Sequence, residues 1–264
     1  MRHLRWPLDG FDQISRLEFG GGHAKKVAPT RYQIRFLRYW FARMLLDEQY
    51  KRLGRPLRVL EVGIGHGRML AFMGGPQLSA ERFALPNWIE RWDGIDVQVT
   101  PETLKRYSYS DYFEADIEQP IDLRGRRYDV IILLHVLEHL YVPELAVQHL
   151  AAGLDAGGIV IGGSPTMPDS LAAVHRYWLL HWKFSKVLDD VHAHRHLSVI
   201  TPGLVRRIAR QGNLTVDFLS GTFFTRWSGL FLENYDGWVR ANLAWGAVFP
   251  ALGGEIYFSL RKPI

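Results

Sequence analysis

Residues 58–70 read Arg-Val-Leu-Glu-Val-Gly-Ile-Gly-His-Gly-Arg-Met-Leu, the most informative stretch of this 264-residue chain. The apolar residues up to Glu61 predict a buried strand, and the glycines Gly63, Gly65 and Gly67 predict a tight turn before a helix. Glycine permits positive φ angles and has no side chain, so a ligand can approach its backbone closely. A strand, a glycine turn and a helix N-terminus in this order are typical of a nucleotide-binding corner.

The spacing of the glycines narrows the choice of nucleotide. A dinucleotide fingerprint is Gly-x-Gly-x-x-Gly, but its last position falls here on Arg68. The observed run is Gly-x-Gly-x-Gly, with an acid two residues before the first glycine. It resembles the first motif of class I S-adenosylmethionine-dependent methyltransferases, whose loop runs under the methionine and ribose of the cofactor. From the residues alone, a glycine turn without a ligand remains an alternative.

After residue 54 predicted strands and helices alternate, which is typical of a parallel sheet covered on both faces. The sequence predicts an α/β, Rossmann-like methyltransferase fold with a mostly parallel seven-stranded sheet. Residues 1–54 are expected to form an N-terminal cap segment and helix, and residues 55–264 the methyltransferase domain. Breaks in the alternation predict insertions at 74–92, 166–196 and 222–252. The family resemblance covers roughly residues 55–220.

Further segments follow the glycine loop in methyltransferase order. The stretch His135-Val-Leu-Glu-His139 after the fourth predicted strand resembles the signature of the small-molecule branch, which includes quinone-biosynthesis methyltransferases. The resemblance implies that Asp96 accepts the ribose hydroxyls, that Asp116 and Ile117 contact the adenine, and that His135 faces the cofactor. The predicted cofactor is S-adenosylmethionine. Its predicted binding residues are Glu61, Gly63, Gly65, Gly67, Asp96, Asp116, Ile117 and His135.

Three histidines are candidate catalytic residues. Histidine is a natural proton acceptor for a hydroxyl group because its pKa is close to neutral. His139 follows the fourth strand, and in related methyltransferases a histidine-containing segment before the Thr-Pro start of a helix closes over the pocket. Here that segment contains His194 and His196, followed by Thr201-Pro202. Packed or solvated histidines without a catalytic role are the alternative.

Two histidine patterns also raise the question of a metal. His135-x-x-Glu-His139 matches the inverted zinc-peptidase motif, but a zinc site there needs both histidines on one face of a continuous helix. His135 instead directly follows a hydrophobic strand. His192, His194 and His196 alternate and could share one face of an extended segment as metal ligands, but three histidines in a solvated loop are the commoner arrangement. The sequence therefore predicts no metal.

The amino-acid composition limits the classes of substrate. The absence of cysteine excludes disulfides, thiolate zinc sites and cytosine C5 methylation, which normally needs a cysteine that adds to the ring. The net charge of +5 raises RNA methylation as an alternative, but the basic residues are scattered and no Asn/Asp-Pro-Pro-Tyr/Phe motif is seen. Aromatic residues in the predicted insertions favour an apolar lid. We therefore expect O-methylation of a small molecule, at a hydroxyl of a sugar, aromatic or lipid-like metabolite, with nucleic acid disfavoured.

A non-catalytic, cofactor-binding subunit that activates another methyltransferase is a further alternative, which the intact glycine loop disfavours. The sequence shows neither a signal peptide nor a long apolar run, and this predicts a cytoplasmic protein. The aromatic residues of 227–252 leave open peripheral membrane contact, a homodimer interface or a substrate lid.

Overall fold

The computed structural model describes residues 1–12, 30–33, 36–65, 67–74, 85–99, 109–182, 196–222 and 230–264. Its strands form a single seven-stranded sheet in the order β3-β2-β1-β4-β5-β7-β6. Neighbouring strands among β1 to β5 run parallel, and β7 runs antiparallel to β5 and β6. This confirms the predicted Rossmann-like fold. The strands are β1 (Leu57–Val62), β2 (Ile89–Asp96), β3 (Asp111–Glu114), β4 (Tyr128–Leu134), β5 (Leu154–Pro165), β6 (Thr215–Thr222) and β7 (Glu255–Arg261).

Local sequence explains where the main helices begin and end. Helix α2 ends at Leu53 because Gly54 adopts a left-handed φ of 65° and donates its amide to the Tyr50 carbonyl. Helix α6 begins after Thr201, whose hydroxyl accepts the Leu204 amide at 3.1 Å. The α-helices are α1 (Asp9–Asp12), α2 (Leu37–Leu53), α3 (Arg68–Gly74), α4 (Pro143–Ala152), α5 (Asp169–Trp182), α6 (Pro202–Gln211) and α7 (Asp236–Val248).

Apolar residues cover both faces of the sheet. One buried cluster joins β1 and β4 to α2 and α3 and includes Trp40 and Phe72. A second cluster joins the opposite face to α4 and α6 and includes Val147 and Ile208. Strand β4 is buried almost throughout, as expected for a central parallel strand. The two layers hold the carboxyl ends of the parallel strands at one edge of the sheet.

Several element boundaries differ from the prediction. The helix expected from residue 30 begins at Leu37, and β2 already begins at Ile89, so the break after α3 is shorter than the predicted insertion at 74–92. The predicted breaks at 166–196 and 222–252 contain α5 and α7. No described helix has the length and apolar character needed to cross a bilayer.

The topology places a crevice beside β1. Strand β1 pairs with β2 on one side and β4 on the other, so the strand order reverses there. In open α/β sheets ligands bind outside the carboxyl ends of the strands at such a switch point. Because β7 is antiparallel, its first residue, Glu255, reaches this same edge and pairs with Pro165 at the end of β5.

Candidate functional site

The glycine loop after β1 is a tight turn with left-handed backbone. The φ angles of Gly63, Gly65 and Gly67 are 72°, 48° and 65°. The Gly63 amide donates to the Ile95 carbonyl at 2.8 Å, and the Gly67 amide donates to the Ile64 carbonyl at 2.8 Å. L-residues with side chains rarely adopt these angles. The predicted turn is therefore present at the predicted residues.

The space around the loop differs between its glycines. A Cβ atom added at Gly63 would lie 2.5 Å from Cγ2 of Val136, which follows β4, so no side chain fits there. A Cβ added at Gly65 would meet nothing within 4 Å. Gly65 thus borders open space, as expected for a backbone that a ligand approaches.

Asp96, the acid at the end of β2, lies directly against this loop. Its Oδ2 atom accepts the Gly65 amide at 2.9 Å, and its Oδ1 atom accepts the Val97 amide at 2.8 Å. Each carboxylate oxygen has two lone pairs, so both can accept a second donor. The structure brings together the two residues that the sequence assigns to the cofactor's methionine–ribose half.

Glu61 ends β1 beneath the loop and is 4% exposed. Its Oε2 atom accepts hydrogen bonds from Trp92 Nε1 at 2.9 Å and from the Tyr109 hydroxyl at 3.1 Å. Burial raises the pKa of the Glu61 carboxyl to about 7, although these two donors lower it. Neither donor carries a sequence signal. The cofactor role of Glu61 stays a prediction.

Asp116 and Ile117 follow β3, which pairs with β2 so that Asp96 lies opposite Glu114. The Asp116 carboxylate is exposed and accepts the Glu118 amide at 2.9 Å in a turn. The Ile117 side chain is 5% exposed and belongs to the apolar core. The Asp116 carboxylate is thus accessible to solvent, whereas most of the Ile117 side chain is buried in the core. Their predicted contacts with adenine stay predictions.

His135 has a left-handed φ of 56° directly after β4. Its Nδ1 atom lies 3.0 Å from Oε1 of Glu138, and its Nε2 atom lies 3.2 Å from Oε1 of Glu255. Burial lowers the pKa of His135, but the two carboxylates outweigh it and raise that pKa overall. The described contacts of His135 therefore hold it between two acids. It is not in a helix with His139, so the inverted zinc-peptidase arrangement is not formed.

Glu255 and Arg38 complete this buried charge network, and no sequence motif predicts either residue. The Arg38 guanidinium donates to Oε1 of Glu255 at 3.2 Å, and the Tyr257 hydroxyl donates to its Oε2. Burial opposes ionisation of Glu255, but Arg38 and His135 hold its pKa well below the usual range. Arg38 comes from α2 and Glu255 from the antiparallel β7, so only the folded chain brings them to His135.

A cavity of about 280 Å³ lies beside the carboxyl end of β5. The described lining residues include Glu138, Pro165, Met167, His175, His196 and Ser198. The rings of His139 and His196 lie 5.2 Å apart between centroids, nearly perpendicular at 74°. Of the three predicted catalytic histidines, His196 lines this cavity and His139 is its ring neighbour. The third, His194, lies outside the described residues.

Residues 30–218 match a protein-family model described as a methyltransferase domain. The chain belongs to the methyltransferase domain family. This match covers most of the chain and agrees with the strand order, the glycine loop and the acid at Asp96. The cofactor of this methyltransferase is S-adenosylmethionine, as predicted. No curated protein shows significant sequence similarity to the chain.

Solved structures share the fold of this methyltransferase at low identity. The N-methyltransferase NodS from Bradyrhizobium japonicum WM9 in complex with S-adenosyl-L-homocysteine is 16% identical, with a TM-score of 0.50, 97% of this chain covered and 100% of NodS. A putative sarcosine dimethylglycine methyltransferase from Galdieria sulphuraria is 16% identical, with a TM-score of 0.51 and coverage of 83% and 84%. The [4+2]-cyclase SpnF is 16% identical, with a TM-score of 0.50 and coverage of 84% and 80%.

The crevice of this methyltransferase fits such a cofactor. The space beyond Gly65 would be filled by any side chain, and Asp96 beside it has lone pairs for hydroxyl donors. S-adenosylmethionine carries no phosphate group, so the loop has no phosphate to bind and a carboxylate beside it is compatible with this cofactor. Gly63, Gly65 and Asp96 would hold the nucleoside sulfonium, and Asp116 lies two residues beyond the partner of Asp96 on β3.

Proposed function

We propose that this methyltransferase transfers the methyl group of S-adenosylmethionine to a hydroxyl of a small molecule held in the cavity beside His139 and His196. The observation that supports it most is that His196 lines a cavity of about 280 Å³ and that its ring lies 5.2 Å from that of His139. This volume is close to the lower end of the range for small-molecule pockets, about 300–1,000 Å³. It suits a metabolite rather than a folded macromolecule.

In this proposal the chain positions the acceptor and receives its proton. The bound cofactor supplies an activated methyl group on a sulfonium. The acceptor oxygen attacks the methyl carbon in line as the carbon–sulfur bond breaks. The electron pair of the broken bond stays on sulfur. A ring nitrogen of His139 or His196 takes the hydroxyl proton, a step worth about 10²- to 10⁴-fold in rate. Alignment of donor and acceptor supplies much of the remaining acceleration.

The pairing of the basic residues also supports a small-molecule acceptor over RNA. The densest basic run, residues 124–127, is engaged within the protein. Arg124 lies 3.1 Å from the Asp111 carboxylate, and Arg126 lies 2.5 Å from it and 3.2 Å from Asp93. The Arg127 guanidinium donates to the Ala152 carbonyl. Guanidinium groups that are paired with acids bind the phosphates of an RNA backbone poorly, because each phosphate contact must first displace an ion pair.

Calorimetry with S-adenosylhomocysteine tests the cofactor half of the proposal. The variant Gly65→Arg should abolish binding, since its side chain would occupy the space beside Asp96. Gly125→Arg is a matched control: Gly125 also has a positive φ, 72°, with nothing within 4 Å of an added Cβ, but it lies in an exposed turn. It should bind like the wild type. Retained affinity in Gly65→Arg would show that the cofactor lies elsewhere.

An acceptor screen with labelled S-adenosylmethionine tests the chemical half. We expect turnover of small hydroxyl acceptors, and a loss of kcat of about 10²- to 10⁴-fold in His139→Asn or His196→Asn with unchanged affinity for S-adenosylhomocysteine. Gln148→Ala, on the exposed face of α4, should keep the wild-type rate. Methylation restricted to amines or to RNA would exclude the hydroxyl proposal, and absence of any turnover by the isolated chain would favour a partner subunit.

A further inference from the structure

We infer that Glu138, His139 and His196 form a binding site for a divalent transition-metal cation, best matched by Zn²⁺, beside the acceptor cavity, which Glu138 and His196 line. Each residue offers one ligand atom, and the three atoms lie within 4.8 Å of one another. The inference rests on the proposed function in one respect: the acceptor hydroxyl would occupy the open coordination position.

The donor set is one that zinc uses. Two imidazole nitrogens and one carboxylate oxygen, with a fourth position left open, are the protein ligands of known catalytic zinc sites. At tetrahedral zinc, ligand atoms about 2.1 Å from the metal lie about 3.4 Å from each other. Because the ligand atoms lie within 4.8 Å of one another, the side-chain ends need to close by at most about 1.4 Å, within the range of small torsional changes.

The backbone around these ligands is already fixed. Leu137–His139 form a short 3-10 helix, and residues 196–199 approach it from far along the chain. The amides of Leu197 and Ser198 donate to the Glu138 carbonyl at 2.7 and 3.0 Å, and the Ser198 hydroxyl donates to the Leu140 carbonyl at 2.7 Å. These three hydrogen bonds hold His196 next to Glu138 and His139.

Contacts outside the cluster also orient the carboxylate ligand, Glu138. Glu138 is 1% exposed, yet it lines the cavity. Its Oε2 atom accepts the Ser164 hydroxyl at 2.8 Å, and its Oε1 atom lies 3.0 Å from Nδ1 of His135. Metal-binding carboxylates and histidines commonly have such outer partners, which fix their orientation. The cavity itself provides access for the ion and for the acceptor.

A cation here would change how the acceptor loses its proton. A metal-bound oxygen donor has a strongly lowered pKa, so the hydroxyl O–H bond would break on the metal and the proton would pass to water. The resulting oxygen anion would attack the methyl carbon as the carbon–sulfur bond breaks. With the ion bound, His139 and His196 would be neutral ligands, and water would replace them in the proton-accepting role that the proposed function gives them in the metal-free site.

Metal binding can be measured without any acceptor. Untagged, chelator-treated full-length protein is titrated with Zn²⁺ by calorimetry and with Co²⁺ by visible absorption. We expect one ion per chain, with the absorption of a tetrahedral site for Co²⁺. His139→Ala and His196→Ala should weaken binding by more than about 100-fold, and Ser164→Ala by about 10- to 100-fold. His175→Ala, which lines the same cavity outside the cluster, should keep wild-type affinity. Each variant is checked for thermal unfolding and for S-adenosylhomocysteine binding.

The two proposals fail in different ways. Absence of Zn²⁺ binding to folded wild-type protein, or binding that survives His139→Ala and His196→Ala, overturns the metal site. If hydroxyl methylation nevertheless proceeds in the presence of a chelator and depends on the histidines, the proposed function stands with a histidine base. Stoichiometric metal binding together with no hydroxyl methylation supports the site and overturns the proposed function.

Discussion

The Oδ2 atom of Asp96 accepts a hydrogen bond from the Gly65 amide at 2.9 Å, so the acid at the end of β2 and the loop after β1 form one unit. The carboxylate orients the backbone that borders the crevice. It also keeps lone pairs for hydroxyl donors of a ligand. A change at Asp96 therefore alters both a direct contact and the shape of the loop.

Asp96→Ala should weaken the binding of S-adenosylhomocysteine by about 10- to 100-fold, because hydrogen bonds to charged groups are each worth about 1.5–3 kcal/mol. Asp96→Asn, which keeps one acceptor oxygen, should lose less. Calorimetry measures both. Asp122→Ala is the control, since the Asp122 carboxylate accepts the Arg124 amide in an exposed turn. Affinity of Asp96→Ala within twofold of the wild type would contradict the assignment.

Gly63→Ala should lower the free energy of unfolding by about 3 kcal/mol, because a left-handed φ costs an L-residue about 1–2 kcal/mol and a crowded core site adds about 1–3 kcal/mol. The added methyl would lie 2.5 Å from Cγ2 of Val136. In the double variant Gly63→Ala/Val136→Ala, the loss of unfolding free energy caused by crowding should be relieved, but the loss caused by the left-handed φ should remain. Gly125→Ala, with φ 72° and open space, should show only the φ cost. Urea unfolding gives all three values, and additive effects of the two substitutions would argue against this contact.

Glu61 should make stability depend on pH in the cofactor-free protein. Its pKa is raised to about 7 in the folded state by burial, above the unfolded value near 4.5. The folded state thus holds more protons between these pKa values, and the free energy of unfolding falls as pH rises from about 5 to 8. The loss is at most about 3 kcal/mol, at 1.36 kcal/mol per pKa unit.

Glu61→Gln should remove that part of the pH dependence, since the amide oxygen can still accept from Trp92 and Tyr109 but no longer ionises. Urea unfolding at pH 5, 6, 7 and 8 compares it with the wild type. Glu114→Gln, at an exposed position of β3, is the control and should leave the slope unchanged. An identical slope in Glu61→Gln and wild type would show that Glu61 ionises normally.

Glu255→Gln should lower the free energy of unfolding by about 3–5 kcal/mol, the typical cost of removing one partner of a buried ion pair. It would leave His135 and Arg38 without the carboxylate between them. Glu90→Gln, on an exposed position of β2, should change stability by less than about 0.5 kcal/mol. Thermal and urea unfolding measure both variants. A loss below 1 kcal/mol for Glu255→Gln would mean that the network contributes little.

The sequence predicts the parts of this protein that depend on neighbours along the chain. Apolar strands, the glycine turn and the helix start at Thr201-Pro202 depend on local sequence, so their positions are predicted to within a few residues. Asp96 and Gly65 also follow the family order. The surroundings of His135 could not be predicted in this way.

What the sequence misses depends on contacts between distant segments. That His135 faces the cofactor stays a prediction, but its described partners, Glu138 and Glu255, were not predicted. Glu255 is 120 positions later in the chain and reaches the site only because β7 runs antiparallel. Likewise, nothing local indicates that Trp92 and Tyr109 donate to Glu61. The approach of His196 to His139 follows from tertiary hydrogen bonds around Glu138.

The position of β7 between β5 and β6 has a consequence for assembly. Among the described strands, β6 pairs only with β7, which follows it in the chain. During synthesis, β6 can therefore dock only after residues 255–261 have left the ribosome, and the same residues deliver the acid that flanks His135. Completion of the sheet and assembly of the charge network around His135 should therefore coincide.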